Sequence, residues 1–262
     1  MEKVASRDGT PIAFWRSGEG PPLVLVHGAS SDHEIAWRFV LPTLERYFTV
    51  FAMDRRGRGE SGDSPFYAIQ REFEDVAALV DYIGPGVDVV GHSYGALCAL
   101  EAALITRNVR RLALYEGGIS SPRLDVYRPE VLEHMDDLMS RGDRDGVLTV
   151  LMRDVVGMSD SDVSILRAQP AWIGRLANAH TVPRELRSDC AYEFDAARFR
   201  ELPMPTLLLI GSESSDVDKD DADTLAATLP NASIAQLEGQ GHAAMNTAPD
   251  LFIRIVGDFL TD

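Results

Sequence analysis

Apolar residues along the chain fall into short, nearly unbroken runs: Pro22–Val26, Thr49–Met53, 87–90, 112–115 and 206–210. Runs of this length without strict alternation suit strands covered on both faces. Between them lie stretches whose apolar positions recur every three to four residues, at 35–47, 71–83, 94–105, 222–229 and 249–260. Strand-like runs alternating with amphipathic helices predict an α/β architecture, a mainly parallel sheet wound on both sides. The rhythm breaks between residues 120 and 202, where no strand is legible and helix-like segments at 129–140, 145–156 and 160–169 are separated by Gly and Pro. Pro203 and Pro205 then introduce the 206–210 run. The simplest reading is a core of residues 1–119 and 203–262, with 120–202 inserted between two late strands as a helical cap. No internal repeat or low-complexity segment is present.

Composition narrows the function classes. The chain has 262 residues, 45% of them hydrophobic, enough for one core or a core plus a small accessory unit. Its 41 acids against 25 bases give a net charge of −16, which repels phosphate backbones and argues against nucleic-acid binding. Cys98 and Cys190, far apart in sequence, form no disulfide framework or metal cluster. MEKVASRDGT has neither the apolar segment nor the cleavage site of a signal peptide, and no window approaches the ~18 apolar residues of a membrane span. The expectation is a soluble cytoplasmic monomer or homodimer acting on a small molecule, with no metal, organic cofactor, nucleic acid or membrane partner.

Residues 91–95 read Gly-His-Ser-Tyr-Gly, between the strand VDVV and the helix-like YGALCALEAAL. A serine on so tight a strand-to-helix turn is lifted above the sheet, and the next N–H, that of Tyr94, sits at a helix N-terminus suited to an oxyanion. Such a serine needs a base that titrates near neutrality, and histidine fits. Of the six histidines, His27 and His92 belong to turns where backbone or packing roles suffice, His33 lies in a polar stretch, and His134 and His180 fall in the inserted region. His242 follows the strand-like 233–237 run and a glycine-rich turn, and precedes the last helix. It is the candidate base for Ser93.

On these residues the chain resembles the α/β-hydrolase family over nearly its whole length. His27-Gly28 ends an apolar strand where the family places a second oxyanion donor, which makes the Ala29 N–H that donor. The segment Asp54 to Gly62 (DRRGRGESG) resembles the family's loop after the following strand, and Gly239-Gln-Gly-His242 its histidine turn. The family order is Ser, acid, His. The acid usually follows the strand that is here 206–210, but that position is Ser214, with Glu213, Asp216 and Asp218 out of register. A subset of the family carries it one strand earlier, where Glu116 follows 112–115 amid apolar and glycine residues. Glu116 is the first candidate and Asp216, part of an acidic helix start, the alternative.

The resemblance implies a substrate held between Ser93 and the cap, a site taken to include His27, Met139, Met152, Met158 and Trp172. Such cap residues are as readily packing; collectively they suggest an apolar, adaptable pocket. The leading expectation is hydrolysis of a small to medium, largely apolar ester or lactone through an acyl-enzyme. A perhydrolase, C–C hydrolase or lyase would share the triad, and a non-catalytic receptor would reuse the scaffold. Gly57-x-Gly59-x-x-Gly62 matches a dinucleotide fingerprint formally, but Asp54-Arg-Arg intervenes after the strand and Ser64-Pro65 stands where a helix should open. Asp216-x-Asp218-x-Asp220 lacks the glycine and terminal glutamate of a calcium loop.

Overall fold

Eight strands form one sheet in the computed structural model of the chain, which describes residues 1–119 and 128–261. They are β1 (Glu2–Ala5), β2 (Pro11–Ser17), β3 (Pro22–Val26), β4 (Thr49–Met53), β5 (Val87–His92), β6 (Val109–Tyr115), β7 (Thr206–Gly211) and β8 (Ala232–Leu237). Their order is β1-β2-β4-β3-β5-β6-β7-β8. Pairing is parallel from β4 to β8 and antiparallel where β2 joins β1 and β4. The β1–β2 edge is absent from the sequence reading. Most of β1 is exposed and β2 ends in Arg16 and Ser17, so neither shows the continuous apolar run of an interior strand.

The helices are α1 (His33–Trp37), α2 (Leu41–Leu44), α3 (Ile69–Ile83), α4 (Tyr94–Ile105), α5 (Pro129–Ser140), α6 (Arg144–Val150), α7 (Asp160–Arg167), α8 (Ala171–Asn178), α9 (Val182–Cys190), α10 (Asp216–Thr228), α11 (Ala244–Thr247) and α12 (Pro249–Thr261). The two-residue period of the strands sorts them between layers. Val24 and Val26 of β3 join a core with α3, α4 and α10, whereas Leu23 and Leu25 join one with α1, α2 and α12. The single helix expected at 35–47 is two short ones, because Pro42 opens a new helix at its first turn. Pro170 and Pro183 likewise start α8 and α9, which were hidden where prolines look like breaks.

Helices α5 to α9 lie between β6 and β7 in sequence, and among the described residues 128–202 contain no strand. They share a core of their own that includes Met135, Leu148, Met152 and Trp172. Residues 120–127 of the expected insertion lie outside the described residues. Among the described residues no helix is long and apolar enough to cross a membrane.

Candidate active site

The parallel register aligns the strand ends: Val26 opposes Gly91, His92 opposes Tyr115, Tyr115 opposes Leu209, and Gly211 opposes Leu237. Residues just beyond those positions therefore meet along the carboxyl edge of the sheet, where open α/β sheets bind ligands. Ser93, Glu116 and His242 all lie there.

Ser93 has φ 54° and ψ −129° between β5 and α4, and its N–H donates to the Tyr115 carbonyl at 2.8 Å. Positive φ costs a non-glycine residue about 1–3 kcal/mol and persists only where surrounding structure enforces it. The described residues with this property besides glycines are Ser30, Ser93 and Glu116, so the strain is confined to the turns of this edge. Gly95 makes the serine turn possible: a Cβ there would stand 2.3 Å from the His27 carbonyl oxygen. On the facing turn, a Cβ on Gly28 would lie 3.0 Å from Ser93 Cβ, which places Gly28 directly against the serine. Among the described residues neither the Ala29 nor the Tyr94 N–H has an acceptor within the protein.

His242 Nδ1 lies 2.6 Å from Glu116 Oε2. A carboxylate can only accept, so Nδ1 carries the proton and Nε2 is left as the basic nitrogen. The histidine side chain is 34% exposed while the Glu116 carboxylate is fully covered. Glu116 Oε1 accepts from the Gly211 N–H at 2.9 Å and from the Ser214 hydroxyl. Ser214, at the position where the family usually carries its acid, is thus a hydrogen-bond donor to Glu116. Asp216 is exposed in the first turn of α10 and has no part in this pair.

Burial alone would raise the Glu116 carboxyl, but His242, Ser214 and the Gly211 N–H together hold it below the ordinary carboxylate range. A depressed carboxyl contributes stability above its unfolded value, about 4.3, and loses it as pH falls through the folded value. The melting-temperature gap between wild type and Glu116→Gln, read by scanning calorimetry, is therefore expected to narrow below about pH 4. A gap that widens on acidification would contradict this.

Sequence reasoning missed the braces. The Tyr115 hydroxyl donates to the Gly241 carbonyl and accepts from the Ala244 N–H, fixing the histidine turn. His92 Nε2 donates to the His242 carbonyl at 2.7 Å. Burial and the nearby His242 and Arg175 push the His92 imidazole well below its usual range, so it is neutral. A tyrosine two residues before the strand-end glycines, and a histidine beside Ser93, were the available signals.

Other candidates fall elsewhere. His27, expected in the substrate pocket, is fully buried; its Nδ1 donates to Gly28 O at 2.8 Å and its Nε2 accepts from the Arg55 N–H at 3.1 Å. Both ring nitrogens are used to hold the turn, so it braces the site from behind. Met152 and Trp172 are buried in the insertion's own core, and Met139 and Met158 pack against it. The Trp172 indole donates to Asp145. His33 stacks on Trp15 at 3.5 Å and bonds Asp54, while His134 and His180 are exposed.

The Gly57–Gly62 loop explains its own resemblance to a phosphate cradle. Its backbone wraps the Asp54 carboxylate, which accepts from the Glu60 and His33 N–H groups. Arg58 and the preceding Arg55 and Arg56 point inward onto protein carboxylates. Arg55 forms a two-point pair with Glu72 and also reaches Glu185 of α9 at 3.1 Å; Arg58 bonds the same Glu185 oxygen, and Arg56 pairs with Asp75. Arg55 also lies 4.4 Å from the Tyr94 ring centroid, and Tyr94 OH bonds Tyr67 OH, which donates to Glu72.

A strand-ordered sheet with these turns defines a class, and comparison with known proteins agrees. The chain matches the model of the Alpha/beta hydrolase family over residues 23–255, and it belongs to that family. It is 28% identical to the N-formylmaleamate deformylase of Pseudomonas putida, over 93% of this chain and 90% of that protein. It is 28% identical to the pyrrolizixenacetamide deacetylase of Xenorhabdus hominickii, over 99% and 98%. The crystal structure of an alpha/beta hydrolase from Sphaerobacter thermophilus superposes with a TM-score of 0.87 at 38% identity, covering 98% of this chain and 99% of that one. These relatives are hydrolases, and the protein is an enzyme of that type.

Proposed function

We propose that the protein hydrolyses a carboxylic ester or lactone through an acyl-enzyme on Ser93, with His242 as base and Glu116 as the acid that orients it. The observation that carries this reading is the 2.6 Å His242–Glu116 pair at the sheet edge that holds Ser93 in its strained turn. In the reaction, Ser93 Oγ bonds to the substrate carbonyl carbon as His242 Nε2 takes its proton. The carbonyl oxygen becomes an oxyanion facing the Ala29 and Tyr94 N–H groups. The tetrahedral adduct collapses, and His242 passes its proton to the departing alkoxide. Water then repeats the sequence on the acyl-serine and releases the acid. Glu116 stays ionised and favours the imidazolium formed in each half.

A second reading, removal of a small formyl or acetyl group from an amide nitrogen, is supported by the deformylase and deacetylase that match this chain nearly end to end. It uses the same residues, with His242 protonating an amine. The test is covalent labelling. A fluorophosphonate is expected to add one equivalent to the native protein, and peptide mapping to place it on Ser93, alongside turnover of p-nitrophenyl acetate. Labelling elsewhere, or none with no turnover, would sink both readings. Formanilide and acetanilide assayed beside the ester decide between them.

A further inference from the structure

Arg175 on α8 is a cation the preceding reading does not use. α8 sits tightly on α1, since a Cβ on Gly174 would stand 2.6 Å from Ile35 Cδ1. That contact carries the Arg175 side chain to the 28–30 turn, where Nη1 donates to the Ser30 hydroxyl at 3.0 Å and lies 3.4 Å from its carbonyl oxygen. Ser30 adjoins Ala29 and shares the positive-φ strain of the serine turn. The guanidinium therefore borders the place where a substrate carbonyl would be held.

It forms no direct ion pair with the described residues. Among the described residues no carboxylate lies within ion-pair distance of it, although the chain has 41 acids. Nε is buried with no acceptor. Asp32 attracts it from a distance, but that carboxylate is already taken by the Ile35 N–H and the Asn178 amide. Burial pushes the Arg175 guanidinium down to about 10, with Asp32 opposing the fall only in part. By contrast Arg55, Arg56 and Arg58, more fully covered than the partly buried Arg175, each meet a carboxylate. Buried guanidinium groups are normally paired, and a planar fork with free donors suits a carboxylate in a two-point contact.

We propose that Arg175 is an anion-recognition residue that receives a carboxylate carried by the substrate. The substrate class is then a half-ester, lactone acid or half-amide of a small dicarboxylic acid. This rests on the Ser93 reading for the position of the scissile bond, but the anion site can be tested without turnover.

In the catalytic arm, mono-p-nitrophenyl succinate, glutarate and adipate are compared with neutral p-nitrophenyl esters of equal chain length. Wild type is expected to favour at least one half-ester by about tenfold or more in kcat/KM. Arg175→Met is expected to erase that preference chiefly through KM, and Arg175→Lys to keep part of it. No preference in wild type, or equal losses on both ester series in Arg175→Met, would assign Arg175 to holding Ser30 and overturn the proposal. In the binding arm, succinate, glutarate and adipate are titrated calorimetrically into Ser93→Ala and into Ser93→Ala/Arg175→Met. Saturable binding by the first and not the second supports the anion site even if no ester is hydrolysed. Ester turnover with no dicarboxylate binding rejects this proposal and leaves the Ser93 reading standing.

Discussion

Glu116→Gln is expected to lower kcat by roughly 10³–10⁴-fold on any ester the enzyme accepts. The amide preserves shape but can present its NH2 to His242 Nδ1, which favours the tautomer whose Nε2 already carries a proton and cannot take one from Ser93. It also withdraws the negative charge that stabilises the imidazolium. The packing around Glu116, with the Gly211 N–H and Ser214 on its other oxygen, can be retained by glutamine, so folding should survive. Asp216→Asn, at an exposed helix start, is expected to stay within about twofold of wild type, as befits a surface charge. Steady-state kinetics on both variants decide the point: near-normal turnover in Glu116→Gln would remove Glu116 from the chemistry.

The second large effect concerns stability. Glu185 of α9 places one carboxylate oxygen against both Arg55 and Arg58, all three side chains fully covered. Glu185→Ala would leave Arg58 without its carboxylate and Arg55 with Glu72 alone. Breaking one side of such a buried pair typically costs ~3–5 kcal/mol. For a chain of this size that corresponds to a fall in melting temperature on the order of 10 °C. The double variant Arg58→Met/Glu185→Met is expected to recover part of the loss, because it removes the stranded charge with its partner. Thermal and denaturant unfolding would measure both, and a Glu185→Ala protein as stable as wild type would show that the network contributes little.

Much of this was legible in the residues, and the failures have physical causes. The parallel core was readable because strands buried on both faces spell themselves as unbroken apolar runs. The Ser93 turn was readable because Gly95 has to clear a carbonyl, and that demand fixes its residue type. Glu116 could be singled out because a carboxylate between an apolar run and two glycines has little chance of being a solvated charge. The β1–β2 hairpin left almost no mark, since an edge strand with one wet face has an ordinary composition. Arg55, Arg58, Glu72 and Glu185 looked like surface charges in a chain that is rich in them. Only the fold brings residues 130 positions apart into one buried cluster. Arg175 was hidden for the same reason, in the last turn of a short helix whose opening proline reads as a break.

Rooting the proposed acid on β6 has a consequence for how this enzyme can change over time. The proposed nucleophile and acid then grow from adjacent strands in the middle of the sheet, joined by the Ser93 N–H to Tyr115 carbonyl bond. In the loop between β7 and α10 the Ser214 hydroxyl bonds Glu116 and the Ser212 hydroxyl accepts from the Gly239 N–H of the histidine turn, while Glu213 and Ser215 are exposed. That loop is freed from conserving a carboxylate at a fixed spot. Its tip can change length or acquire new contacts while Ser93 and Glu116 stay anchored to interior strands of the sheet.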